Sequence, residues 1–336
     1  MNVEGLLRIH FTSEDLGRLR LAGATDWLWE VVLSLHVLQN RQSDLVFGRW
    51  RQHSASTVSP DLTGFLNAVN PCARYFPDFL TPMTRTGDIA AGIDAVRCTP
   101  RTQFSAQLTE LARTRVLPSS VQLLSTGDKD AVAHVCRALR SYYDAAIAPF
   151  RPRIDQRLAE VRAGYARTMA TGGSEALLRS LGPGCDWRPP VLLARYPHDA
   201  DLHLDGRGLL LIPSFFCVRT PVTLVDRELP PVLVLPVPHD PRWVSGGPCA
   251  AGAGTLGELL GDTRARILGL AGTDALATGA IAGRLRISAQ TISYHTRILR
   301  DAGLIASHRE GASVVHHLTP MGLALLNGLP APVRHW

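Results

Sequence analysis

Lysine is almost missing from this chain of 336 residues: Lys129 is the only one, so nearly all its positive charge is guanidinium. That bias carries no functional weight on its own. Long apolar runs are missing too. The best of them, Gly208 to Val218, covers 11 residues and includes Pro213, which is too short to span a bilayer. No secretory apolar segment opens the chain, whose start carries Glu4, Arg8 and His10. The six cysteines (Cys72, Cys98, Cys136, Cys185, Cys217, Cys249) lie far apart without a CxxC pair, which speaks against a zinc ribbon or a thioredoxin-type site. Together these absences lead us to expect a cytoplasmic protein with free thiols and no membrane partner.

Catalytic signatures are equally scarce. The Gly-rich stretch Ser245 to Gly254 lacks the Gly-Lys-Ser/Thr ending of a phosphate loop and reads as a flexible tether. Ser214, in IPSFF, lacks the Gly-x-Ser-x-Gly elbow of a hydrolase nucleophile. No acid, base and nucleophile converge by spacing, so no catalytic residue, cofactor or metal is expected.

What is present is the composition of a folded protein: 46% hydrophobic residues and 19% charged ones, in a chain long enough for two or three domains. The formal net charge is +6, and its distribution is uneven. Residues 255–336 hold eight Arg against five acids, and from Arg284 to Arg309 there are five Arg and one acid, Asp301. A basic stretch of this kind favours a phosphate-bearing partner through counterion release, although charge alone fits a solvated face equally well.

The periodicity predicts an α+β fold, mainly helical. Residues 1–172 read as a helical region, 173–244 as a small β-rich subdomain packed on it, 245–254 as a linker and 255–330 as a winged helix-turn-helix. Within the first region, Asp26 precedes an amphipathic run with Trp27, Val31, Leu35 and Leu38 at helical spacing. Asp130 to Ile147 reads as a helix stopped by Pro149. Arg153 to Thr171 reads as a helix with Ile154, Leu158, Val161 and Tyr165 on one stripe, ended by Gly172-Gly173, with Ser174 capping the next. In the β-rich part, Val191-Leu-Leu-Ala, Val222 to Val225 and Val232 to Val237 read as strands. Asp201-Leu-His-Leu and Gly208 to Ile212 read as a hairpin across an Asp205-Gly206 turn. The aromatic residues Trp27, Trp29, Trp50, Tyr142, Tyr143 and Phe150 are expected in the core rather than around a ligand.

The last region is the most legible. Leu256 to Leu270 is a predicted helix, and Thr278 to Leu285 a short one of small residues. Arg286-Ile287-Ser288 makes a turn, with Ser288 capping a helix from Ala289 to Ala302 that Gly303 ends. Ile292, Leu299 and Ala302, with Thr296 between them, form the inward side. Gln290, Thr291, Ser293, Tyr294 and Arg297 lie elsewhere, near the N-terminus, the end that a recognition helix presents to base edges and phosphates. Leu304 to Arg309 and Ala312 to Leu318 form a hairpin, the wing, and Thr319-Pro320 starts a last helix from Met321 to Asn327.

On these segments the chain resembles a known family. Leu256 to Leu326, with LLGDTRARILGLA, ISAQTISYHTRILRDAGLI and HREGASVVHHLTPMGLALL, resembles the winged-helix domain of ArsR/SmtB-type bacterial repressors. The long N-terminal portion, with ATDWLWEVVLSLHVL and LLLIPSFFCV, is similar to the extension of larger actinobacterial winged-helix regulators. The resemblance implies a homodimer joined by the first and last helices of the domain, placing two recognition helices on a pseudo-palindromic operator. It departs from the metal-sensing members. Thr278 to Leu285 holds no Cys-x-Cys pair, and Met321 to Asn327 holds neither His nor acid.

The site expected from all this is a double-stranded DNA contact made by Ser288, Gln290, Thr291, Ser293, Tyr294, Arg297 and Arg309. An ordinary polar helix face is the plain alternative for the helix residues, and a solvated edge charge for Arg309. His295 reads as a satisfied structural histidine. His316 and His317 face opposite sides of a strand and cannot share a metal. His198, Asp199, Asp201, His203 and Asp205 tempt a metal reading, but a polar hairpin face explains them. The function expected is a homodimeric transcriptional repressor whose N-terminal region senses a small organic effector or holds the dimer. An enzyme or a protein-interaction adaptor in residues 1–245 is the alternative.

Overall fold

The chain divides into two compact units, Met1–Gln42 with Trp50–His239, and Ser43–Arg49 with Asp240–Trp336. The computed structural model describes residues 5–325 except 41–42, 72–74, 85, 183, 219, 225, 227–228, 241–242, 245–256, 258, 272–275, 311–312, 320 and 323–324. The expected linker, 245–254, lies outside the described residues. The helices are α1 (Ser13–Gly17), α2 (Trp27–Gln39), α3 (Asp44–Thr57), α4 (Pro60–Val69), α5 (Ile89–Arg97), α6 (Arg101–Ala112), α7 (Ser119–Ser125), α8 (Lys129–Tyr142), α9 (Arg151–Arg179), α10 (Asp262–Ala271), α11 (Thr278–Leu285) and α12 (Ala289–Asp301). The strands are β1 (Gly5–His10), β2 (Arg20–Leu21), β3 (Cys185–Arg188), β4 (Val191–Tyr196), β5 (Ala200–His203), β6 (Leu210–Ser214), β7 (Val232–Pro236), β8 (Leu276–Ala277), β9 (Ile305–Glu310) and β10 (Ser313–Leu318). The fold is α+β and mainly helical. Among the described residues no helix is long and apolar enough to cross a membrane.

In the larger unit two small sheets carry strands from both ends of that unit's sequence. One has the order β3-β4-β1-β5 and the other β2-β6-β7, so β1 and β2, in a stretch that reads as helical, complete sheets built 180 residues later or more. Leu7 and Ile9 of β1 point into a core with Leu177, Leu178, Leu192, Leu211 and Leu233.

The expected hairpin across Asp205-Gly206 does not form. The turn itself is there: Asp205 and Gly206 both have positive φ (51° and 80°), and the Arg207 N–H donates to the Leu204 carbonyl at 3.0 Å. The chain then leaves the sheet, because the Gly208 N–H donates to Asp15 Oδ1 at 2.8 Å and the Leu209 and Leu211 carbonyls accept from Arg20 and Ala22. As a result β5 pairs in parallel with β1, while β6 pairs in parallel with β2 and β7.

Three helix expectations need correcting. Asp26 does cap α2, accepting from the Leu28 and Trp29 N–H groups at 3.1 and 3.3 Å. The helix is not amphipathic, though, since Trp27 through Leu35 are all buried and α2 runs through the interior. Pro149 does not stop the chain's helical course. After α8 a π-helical turn (Tyr143–Ile147) and a 3-10 turn (Ala148–Phe150) lead directly into α9, with Pro149 in a first turn, where its missing N–H costs nothing. Gly173 breaks α9 (φ 74°), but the Ser174 hydroxyl caps nothing and donates to the Leu16 carbonyl at 2.7 Å.

The smaller unit gathers α10, α11 and α12 around Ile267, Leu268, Ile281, Ile292 and Leu299, beside the sheet β8-β10-β9. The expected Leu256–Leu270 helix is interrupted at Gly261, whose φ of 84° only glycine adopts easily, and α10 starts at Asp262.

Candidate nucleic-acid interface

Two short-range signals shape the approach to α12. Arg286 sits in the left-handed region (φ 57°, ψ 44°) and closes α11, with the Ile287 N–H donating to the Ala282 carbonyl at 3.2 Å. Ile287 packs on the core and Ser288 is extended, so the chain turns sharply between the two helices. The Ser288 hydroxyl oxygen accepts from the Thr291 N–H at 3.1 Å and shares a 2.8 Å hydrogen bond with the Thr291 hydroxyl. That is the N-cap expected from the sequence. At the other end Ala302 and Gly303 (φ 70°) terminate the helix, and the Leu304 N–H donates to the Leu299 carbonyl at 2.8 Å.

Burial sorts the faces of α12. Ile292, Thr296 and Leu299 are buried, as expected, and the Thr296 hydroxyl is spent on the Ser293 carbonyl. Ala302, expected on the same side, is exposed, because the helix has ended there and Leu304 and Ile305 fill the core instead. Gln290, Ser293, Tyr294 and Arg297 are exposed along one side, while Thr291 is half-buried beside Ser288. Tyr294 is 55% exposed, unusual for a large aromatic ring, and the Arg297 guanidinium lies 5.9 Å from its centroid. The pair forms a flat, cationic surface at the middle of the helix.

Arg309, on β9 opposite Val314, is exposed as well. The structure thus groups Ser288, Gln290, Ser293, Tyr294 and Arg297 along one helix and sets Arg309 on a separate element, the β9–β10 hairpin. Arg284, Arg286 and Arg300 are also exposed. Of the five arginines from Arg284 to Arg309, only Arg300 has an ion pair among the described residues, with Asp301 at 3.9 Å. Among the described residues, the other four carry charge that no ion pair offsets.

One histidine ties elements of this unit together. His316 is buried and bridges elements: Nε2 lies 2.9 Å from the Thr278 hydroxyl of α11, and Nδ1 lies 2.8 Å from the Ser307 hydroxyl of β9. Burial lowers its pKa, and Arg300 and His317 add to the effect. Thr278 and Ser307 were missed in the sequence, because nothing local marks hydroxyls that meet across a sheet. His317 is exposed, as alternation requires. His295, expected to be satisfied, is half-buried, and among the described residues its Nδ1 has no hydrogen-bond partner. The final helix lies largely outside the described residues, but at the expected start the Gly322 N–H donates to the Thr319 hydroxyl at 3.1 Å.

No curated protein and no solved structure matches the chain. Residues 259–308 do match a family model, that of a helix-turn-helix domain. The matched stretch runs from just before α10 to within β9 and contains α11, its turn and α12, so this part of the chain is a helix-turn-helix domain.

Proposed function

We propose that this chain is a sequence-specific DNA-binding transcriptional regulator of the winged, ArsR-like kind. The observation that carries the proposal is α12, a capped helix that buries Ile292, Thr296 and Leu299 and leaves Gln290, Ser293, Tyr294 and Arg297 in solvent. Its N-terminal half enters the major groove, where Gln290 and Ser293 face base edges, and Arg297, past the middle of the helix, faces a guanine edge or a phosphate. Ser288 and Thr291 spend their hydroxyls on the cap and act mainly by orienting the helix. The β9–β10 hairpin serves as the wing, with Arg309 against the backbone or the minor groove.

The regulator acts in the cytoplasm as a homodimer on a pseudo-palindromic operator, as a repressor. Residues 1–244 set the spacing of the two recognition helices, and a small organic effector that prefers one spacing shifts the population between competent and incompetent states. No catalytic role is assigned to any residue. A gel shift of the purified protein on the DNA upstream of its own gene, against unrelated competitor, tests this reading. Competitor-resistant binding supports it. Equal affinity for every fragment offered would return the weight to an adaptor or an enzyme in the larger unit.

A further inference from the structure

We infer that His10, Asp201 and His203 form a divalent transition-metal site on the outer face of the sheet β3-β4-β1-β5. The inference is independent of DNA binding and concerns the larger unit alone. It starts from a pairing that the sequence hides. Strands β1 and β5 run in parallel with His10 opposite His203 and Arg8 opposite Asp201. Alternation sends Leu7 and Ile9 into the core, which leaves His10, Asp201 and His203 together on the solvent side. Asp205, in the left-handed turn, lies beyond the end of β5.

The donor atoms are gathered but not yet aimed at one point, because the two imidazole planes lie 8° from parallel. His10 Nε2 lies 2.7 Å from Asp201 Oδ1, the two imidazole rings stack at 4.2 Å, and one donor atom from each of the three residues falls within 4.8 Å of the others. Zinc–nitrogen and zinc–oxygen bonds of about 2.0–2.2 Å require donors roughly 3.3–3.5 Å apart around a tetrahedron. Exposed His203 and half-buried His10 can close that gap by rotating about soft side-chain torsions. The metal would take the place of the hydrogen bond between His10 Nε2 and Asp201 Oδ1.

The donor set selects the class of ion. Two imidazoles and one carboxylate suit zinc, copper or nickel, and offer far too few oxygens for calcium or magnesium. Arg8 supplies an outer contact. Its Nη1 lies 3.8 Å from Asp201 Oδ2, which leaves Oδ1 turned toward His10, and its own charge is met by Asp199 at 3.3 Å. Strand β5 is the sheet's edge, so the remaining coordination positions open to water or a small ligand.

The test is zinc titration of the full-length protein in competition with a chromophoric zinc indicator, for wild type, His203→Ala and Asp201→Asn. Copper(II) electron paramagnetic resonance is recorded on the same proteins. His203 is exposed, so its loss should leave the metal-free melting curve unchanged. The expected result is one zinc per chain, weakened at least about tenfold in each variant, with nitrogen coupling falling from two nuclei to one in His203→Ala. Failure of the wild type to draw zinc from the indicator would overturn the inference. So would the same stoichiometry, affinity and nitrogen coupling in His203→Ala, because the ion would then be held elsewhere.

Discussion

Glu30 shows how much one side chain can hide from sequence reading. It stands in an apolar helix and is 1% exposed, and its two carboxylate oxygens accept from the Phe215 and Phe216 N–H groups, each at 3.0 Å. Two donors need two acceptors. Glu30→Gln offers one carbonyl and one amide, so an N–H is left facing an NH2, and the larger unit should lose about 1–3 kcal/mol. Trp27, Trp29, Trp50 and Trp187 lie in that unit, so a urea melt followed by tryptophan fluorescence reads the loss. Burial raises the Glu30 pKa to about 7 against the pull of the two N–H groups. The folded value exceeds the unfolded one, so the unfolded chain binds fewer protons between roughly pH 4.5 and 7, and this group's contribution weakens as pH rises through that window. The stability difference between wild type and Glu30→Gln should therefore grow as pH falls from 7 to 5. A difference that shrank over that range would contradict this assignment. Nothing in the sequence could reveal the arrangement, because Glu30 and its donors lie 185 and 186 residues apart.

Helix ends were legible where strand partners were not. The caps at Asp26 and Ser288 and the breaks at Gly173 and Gly303 depend on residues within a few positions of each other, and each was read from the sequence. Parallel pairings such as β1 with β5 depend on residues some 190 apart, and turn chemistry at Asp205-Gly206 said nothing of where the chain went next. The candidate site divides the same way. The polar side of α12 followed from periodicity, whereas the His316 bridge to Thr278 and Ser307 and the meeting of His10 with His203 required the fold. A prediction follows at this scale for Ser288. Replacing it by Ala removes the N-cap and should cost the smaller unit about 1 kcal/mol, read as a lower melting temperature. Ser288→Asp restores the cap but brings an anion to the end of α12 that, on the proposed reading, faces DNA. It should melt like wild type while binding the operator at least tenfold more weakly. Equal operator binding by Ser288→Asp would show that the N-terminus of α12 does not approach phosphate.

At the scale of the whole molecule, the distribution of charge and the faces of α12 bear on one function. On the proposed reading, the exposed arginines from Arg284 to Arg309 would provide a salt-sensitive, sequence-independent affinity, and the side chains of α12 the choice of sequence. The larger unit, with its own core and sheets, exceeds what a DNA-binding module needs, which motivates its assignment as the part that spaces or senses. The central claim is that α12 reads DNA. Its most direct test is the dissociation constant for an operator selected from a genomic library, measured beside a scrambled duplex at fixed salt for wild type and Tyr294→Ala/Arg297→Ala. The wild type should prefer the operator by about 10³-fold or more. The double variant, with its melting curve unchanged, should lose most of that preference while keeping its weak affinity for the scrambled duplex. An operator preference that survives the double substitution intact, or a wild type with no preference for any selected fragment, would contradict the account.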